Sequence, residues 1–452
     1  MFDALFIDSE VENLFKDETM VRAMLRFEAG LALAQADENL ISSDDAGLIA
    51  RVCESAEIDL GTILLAARQA GNPAMPLVKE LTALVRKIDA RAARFVHAGA
   101  TSQDLIDTAT MLQLKVALSR IWIGITGLQQ RLTELINEHR ETLMIGRTLL
   151  QQARPISFGF KAAGWLDQLI RCKGRLREVR ARALVLQFGG AVGTLAASGS
   201  DALAIMSSLA RRLELGEPAM PWHTARDRFF EVGSALAMLT GCLGKIATDA
   251  SLLMQTEVGE LSEAAEEGRG GSSAMPHKKN PVAPTMIIAA CTRVPGLLAT
   301  VSASMMQEHE RSVGRWHAEW TALPQIVCLT SGAIKHTDDL FSRLEINKDR
   351  MRQNIELTRG LIFAESVANA LGKKIGKPEA EQLVKLACQR AREKECHLRE
   401  VLAQEPAVSR VLDQAALDQI FCPEHALGAA NQLIDRVLKQ SAESQAESDG
   451  KR

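Results

Sequence analysis

The chain has no tyrosine, and aromatic residues fill only 4% of its 452 positions. Sheets draw on aromatic and β-branched side chains, so a protein built on large sheets is not expected. Ala, Leu, Glu, Arg and Gln dominate instead, and these favour helices. None of the eight cysteines pairs with another as C-x-x-C, so they read as unpaired thiols of a reducing compartment. No run of about 18 apolar residues occurs, so no membrane span is expected. The start, MFDALFIDSEVENLF, is acidic where a signal peptide is basic, and a cytoplasmic location is expected. A net charge of −3 gives no electrostatic footprint for nucleic acid or anionic lipid. The nine histidines show no H-x-x-x-H, H-E-x-x-H or Cys/His spacing, so no metal site is expected. Neither G-x-G-x-x-G nor a P-loop is present, which leaves a nucleotide cofactor without support.

What the sequence does hold is long helical periodicity. Met111, Leu114, Leu118, Ile121, Ile125, Leu128, Leu132 and Leu135 alternate steps of 3 and 4, a seam of period about 3.5. A second seam runs through Trp165, Leu169, Cys172, Leu176, Val179, Ala183 and Leu186. A third covers Leu236 to Leu261 through Leu239, Leu243, Ile246, Ala250, Leu253 and Glu257. Such helices exceed the usual 8–20 residues and predict a long bundle, completed by other subunits. The expected organisation is all-α, with an N-terminal helical domain over 1–105, a central helix bundle over 106–345 and a C-terminal helical domain over 346–452. The tail from Ser441, SAESQAESDGKR, reads as disordered.

Three strings sit between the helices. The richest is Gly270-Gly-Ser-Ser-Ala-Met-Pro-His-Lys-Lys-Asn-Pro281. Its glycines, with Gly268, permit close backbone approach to a ligand. Two hydroxyls, a cation and an amide follow within a few residues, and consecutive N–H groups in such a loop hold anions. This string resembles the signature GSSxMPxKxNP of the fumarase/aspartase superfamily. His97-Ala-Gly-Ala-Thr-Ser-Gln-Asp-Leu-Ile-Asp-Thr108 is similar to its first conserved region, HxGxTSxDxxDT. Gly146-Arg-Thr-Leu-Leu-Gln-Gln-Ala-Arg-Pro155 is similar to its second, GRTHxQxAxP. The three occur in the family's order, and the likeness spans roughly residues 5–435.

The resemblance implies three helical domains, a homotetramer with a twenty-helix core, and active sites that combine the three regions from different subunits. It implies a small polycarboxylate substrate and no cofactor. Family members break or form a bond β to a carboxylate through an aci-carboxylate dianion. By match, Ser272 exchanges the α-proton, and Lys278 and Asn280 stabilise the dianion. Thr101, Ser102, Thr148 and Gln151 match contacts to substrate carboxylates. His97 and His277 lie inside matched motifs and are candidates to line the site.

The departure is Leu149, where fumarases, argininosuccinate lyases and adenylosuccinate lyases hold a histidine linked to the leaving group. A leucine transfers no proton. A carboxylate leaving group needs none, because it is stable as an anion at neutral pH. One branch of the superfamily closes a lactone on 3-carboxy-cis,cis-muconate by adding an internal carboxylate to a diene, and it too lacks the histidine. Gln307-Glu-His-Glu-Arg-Ser-Val-Gly-Arg-Trp-His-Ala-Glu-Trp320 and Pro221-Trp-His-Thr-Ala-Arg-Asp-Arg228 are similar to segments of that branch. Arg311 is then a candidate to grip a carboxylate with both arms; packing at the surface is the alternative. The resemblance implies a cycloisomerase. Its rivals are a lyase releasing fumarate from a succinyl adduct and a catalytically silent helical scaffold.

Overall fold

Ser102–Glu138 forms a single 37-residue helix, the longest element of the chain in a computed structural model that describes residues 2–199, 201–264, 266, 270–271, 275 and 277–449. Further long helices are Asp17–Asp37, Phe158–Ala183, Asp227–Leu253, Val282–Ala303 and Arg315–Ser342. From Lys348 onward most of the helices are shorter. The all-α reading holds.

The seams form the core, with instructive departures. Met111 through Leu132 are all buried, but the stripe then passes to Ile136, leaving Leu135 half-buried. A straight helix of 3.6 residues per turn drifts off a 3.5 repeat, so the seam slides by one position near its end. Every member of the second seam is buried, Leu186 beyond the helix end included. The third seam is too long as read. Its helix stops at Leu253, where the Leu253 carbonyl accepts the Glu260 N–H across a turn. Gly259 adopts the left-handed conformation (φ +61°), and Leu261 opens a short strand paired with Leu344–Ile346. The C-terminal tail is helical as far as Asp449, where disorder is expected from Ser441. Residues 441–449 continue the Ala430–Asp449 helix. They hold two Ala, two Glu and one Gln beside three Ser and one Asp, with no Gly or Pro before Gly450, so no strong breaker ends the helix.

Asp227–Leu253 and Val282–Ala303 are long and apolar enough to cross a membrane by length and composition. Half of the former's most apolar stretch is buried within the chain, but only 22% of the latter's.

The chain divides into two units, each from three segments. The first contains 1–125, 172–244 and 286–336; the second contains 126–171, 245–285 and 337–452. The second holds an element that periodicity does not announce, an antiparallel hairpin of Leu143–Thr148 and Gln151–Ser157. Its two-residue turn is Leu149-Leu150, both left-handed (φ +49° and +65°). This is the geometry of a tight hairpin normally given to Asn-Gly. Each non-glycine residue held so costs roughly 1–2 kcal/mol. The two leucines are nonetheless 97% and 75% exposed.

Candidate active site

The first motif is built around two buried carboxylates. Asp104 accepts from the Thr101 N–H (3.0 Å), the Gly189 and Gly190 N–H groups (3.0 and 2.8 Å), Gln187 Nε2 (3.2 Å) and His223 Nε2 (2.7 Å). The bond to Thr101 fixes the turn that starts the long helix at Ser102. Close approach of the two loops requires glycine on both sides. A Cβ on Gly190 would lie 2.9 Å from the Gly99 carbonyl oxygen, and one on Gly99 would lie 2.6 Å from Ser198 Oγ.

Asp107, one helical turn on, accepts from Arg226 Nη1 and Nη2 (2.6 and 3.1 Å), Trp316 Nε1 (3.0 Å) and Gln103 Nε2 (3.1 Å). Arg226 turns its other edge to Glu319, with Nη2 at 2.7 Å and Nε at 3.0 Å. All three charges are buried. One guanidinium therefore serves two carboxylates, and burial pushes Glu319 up to about 7 despite Arg226 beside it. The 221–228 and 307–320 segments thus act by bracing the first motif from behind.

Of the sequence candidates, His97, Thr101, Ser102 and Arg311 fall in the first unit. Arg311 Nη1 donates to Thr101 Oγ1 (2.8 Å) and Nη2 to the Ala191 carbonyl (3.0 Å). The first bond has a direction that matters. Because Thr101 Oγ1 accepts from Arg311, its own proton is left to donate to another acceptor. Arg311 Nε is buried with no hydrogen-bond partner among the described residues, an unusual state for a guanidinium. The first motif thus presents hydroxyl and guanidinium donors at a helix N-terminus, a setting that favours anions.

Thr148, Gln151, His277, Lys278 and Asn280 fall in the second unit. Thr148 and Gln151 are register partners flanking the Leu149-Leu150 turn, so both project from one face of the hairpin. The hairpin is held by Arg147, which donates from both arms to the buried Glu260 (2.9 and 2.7 Å). Asn354 Nδ2 donates to the same carboxylate (2.7 Å). In the third motif the Asn280 N–H donates to the Gly270 carbonyl (3.0 Å), closing the string into a loop. Gly270 is left-handed (φ +65°), and a Cβ there would meet the Asn280 carbonyl at 3.0 Å. The Ala283 N–H donates to Glu263 Oε1 (3.1 Å), tying the start of the next helix to the strand before the loop. Lys278 and His277 are exposed. Lys278 has no ion pair among the described residues. Ser272 lies outside the described residues. No group of three or more metal-ligating side chains gathers among the described residues.

Sequence reasoning missed Asp104, Asp107, Arg147, His223, Arg226, Glu260 and Glu319 as site-building residues. Three of these stand inside the first two motifs, and His223, Arg226 and Glu319 stand inside the 221–228 and 307–320 segments; membership of those strings is the signal that could have found them, and only Glu260 lies outside all of them.

A family model described as lyase matches residues 8–296, and one described as adenylosuccinate lyase C-terminus matches 360–437. The chain is 46% identical over 440 residues to a 3-carboxy-cis,cis-muconate cycloisomerase of Pseudomonas aeruginosa, covering 97% of this chain and 96% of that one. It is 47% identical over 422 residues to a protein of the same name from Bradyrhizobium diazoefficiens, covering 93% and 94%. The crystal structure of 3-carboxy-cis,cis-muconate lactonizing enzyme from Pseudomonas putida superposes with a TM-score of 0.93 at 43% identity, over 98% of this chain and 99% of that one. Likeness at that level runs the length of the chain, through all three motifs and both bracing segments, and it places the chain in the lyase family of the fumarase/aspartase superfamily, alongside the 3-carboxy-cis,cis-muconate cycloisomerases.

Proposed function

We propose that this enzyme closes 3-carboxy-cis,cis-muconate to a carboxy-muconolactone in the breakdown of aromatic compounds. The observation that carries the reading is Leu149: the position where related lyases keep a histidine holds an exposed aliphatic side chain at the tip of a hairpin. In the lactonising direction an internal carboxylate of the substrate attacks a double-bond carbon. Electron density moves onto the carboxylate next to the far end of that double bond, giving a dianion. Lys278, Asn280 and loop N–H groups hold that charge as it develops, where fixed donors act most strongly. Ser272 then gives its proton to the α-carbon and recovers one from water. Because the serine starts neutral, this direction does not require it to act as a strong base. In the reverse direction the departing carboxylate is stable as an anion, so an acid at position 149 has nothing to do.

Thr101, Ser102, Thr148, Gln151, His97, His277 and Arg311 bind the substrate carboxylates in this reading. The Thr101 proton left over by its bond from Arg311, and Arg311 Nε, which has no partner among the described residues, support the part given to the first motif. We infer further that the chain works in the cytoplasm as a homotetramer with shared active sites, organised as three domains over 1–105, 106–345 and 346–452. The poorly buried apolar Val282–Ala303 helix supports such an assembly.

The test is direct. Purified protein mixed with 3-carboxy-cis,cis-muconate is expected to bleach the diene's ultraviolet absorbance, while adenylosuccinate and argininosuccinate remain unchanged in parallel reactions. Turnover of a succinyl adduct without turnover of the muconate would replace this reading by that of a fumarate-releasing lyase.

A further inference from the structure

The Asp17–Asp37 helix carries two buried polar side chains seven residues apart, Glu28 and Gln35, and both grip the segment that leads into the first motif. Gln35 Nε2 donates to the Ala98 carbonyl (2.8 Å). Glu28 Oε1 lies 2.6 Å from His97 Nδ1. His97 itself is left-handed (φ +61°), a conformation a non-glycine residue holds only when its surroundings impose it.

The Glu28 carboxyl has 1% exposure, and its other oxygen, Oε2, has no hydrogen-bond partner among the described residues. A buried charge needs an opposite charge, and the His97 ring is the group placed to supply it. The charged groups facing that ring are Glu28 from the Asp17–Asp37 helix and Asp104 from the Ser102–Glu138 helix. Burial lowers the ring's pKa, but the two carboxylates outweigh it, and the ring stays protonated to a higher pH than usual. The Cys53 thiol, on the Ser43–Ser55 helix, is pushed well up by burial and by Glu28, so it remains neutral. With Nδ1–H committed to Glu28, Nε2–H is the ring's remaining donor, and no group among the described residues takes it.

We propose that Glu28 is a positioning residue that fixes His97 so that its Nε2–H grips one carboxylate of the polyanionic substrate. A charge-assisted bond of this kind exists only while the ring is an imidazolium. The inference rests on the polycarboxylate reading of the site given above.

The variant Glu28→Gln keeps the size and removes the charge. Two measurements are made on it. In protein carrying ¹³C-labelled histidine, with the His97 signal assigned through His97→Gln, the ring's titration midpoint is expected to fall by at least about one unit, a tenfold change in proton affinity. This readout needs no turnover. In steady-state assays with 3-carboxy-cis,cis-muconate, KM at pH 8 is expected to rise about tenfold while kcat changes little, the gap narrowing towards pH 6. Should Glu28→Gln fail to fold, Glu28→Asp is titrated instead, with a smaller fall in the same direction. An unmoved ring midpoint, or kcat and KM altered alike at every pH, overturns the proposal. If the wild type leaves the muconate untouched, the substrate reading fails, and the ring titration alone decides whether Glu28 sets the state of His97.

Discussion

Replacing Arg226 by Met is expected to destabilise the fold by about 3–5 kcal/mol at neutral pH, the scale for a buried charge stripped of its partner. The variant leaves Asp107 and Glu319 facing each other without the guanidinium that bonds both. The pH dependence has a definite sign. Glu319 already has a folded-state pKa near 7, above its ordinary 4.5. A carboxyl raised in this way is at no disadvantage below its unfolded value, where both states are protonated. Its penalty grows as pH rises through the folded value, because the unfolded chain ionises more readily. Without Arg226 that penalty is larger, so the gap between variant and wild type should widen from pH 5 to pH 8. Urea unfolding at the two pH values measures it. Adding Asp107→Asn and Glu319→Gln to the variant should recover part of the loss, since the charges are then removed as a set. Equal stability of Arg226→Met and wild type at pH 8 would show that the three charges are not coupled as their distances indicate.

Ser272→Ala is expected to slow lactonisation at least 10²-fold with little change in KM, the usual scale for losing a positioned acid–base group. Once the internal carboxylate has added, the dianion must be protonated at carbon, and no solvent-derived acid competes well with a donor held in place. In the proposed function other groups bind the substrate, so the loss should fall on kcat. A near-normal rate in Ser272→Ala removes the serine from the mechanism, and Lys278 becomes the next residue to test as the proton source.

How far the sequence alone reaches differs between elements. The helical seams are local patterns, so Met111–Leu132 and Trp165–Leu186 read correctly as buried stripes. The third seam overran because a hydrophobic residue, Leu261, continues the spacing after the backbone has turned at Gly259. The hairpin gave no signal, since its turn is Leu-Leu in place of the glycine-bearing pairs such turns favour. The motifs and the 221–228 and 307–320 segments stand out as strings, but which of their residues pair with which does not. Arg226 and Asp107 are 119 positions apart, as are His223 and Asp104, and Glu28 and His97 are 69 apart. Such partners have no spacing rule and become visible only when the chain is folded.

In the proposed reaction the acid group arrives or leaves already ionised, so that an aliphatic side chain suffices at position 149. The rate of diene loss in Leu149→His measures this most directly. A general acid that mattered would contribute about 10²–10⁴-fold. The prediction is that the variant closes the lactone no faster than the wild type at any pH from 6 to 8; an acceleration of tenfold or more would contradict it.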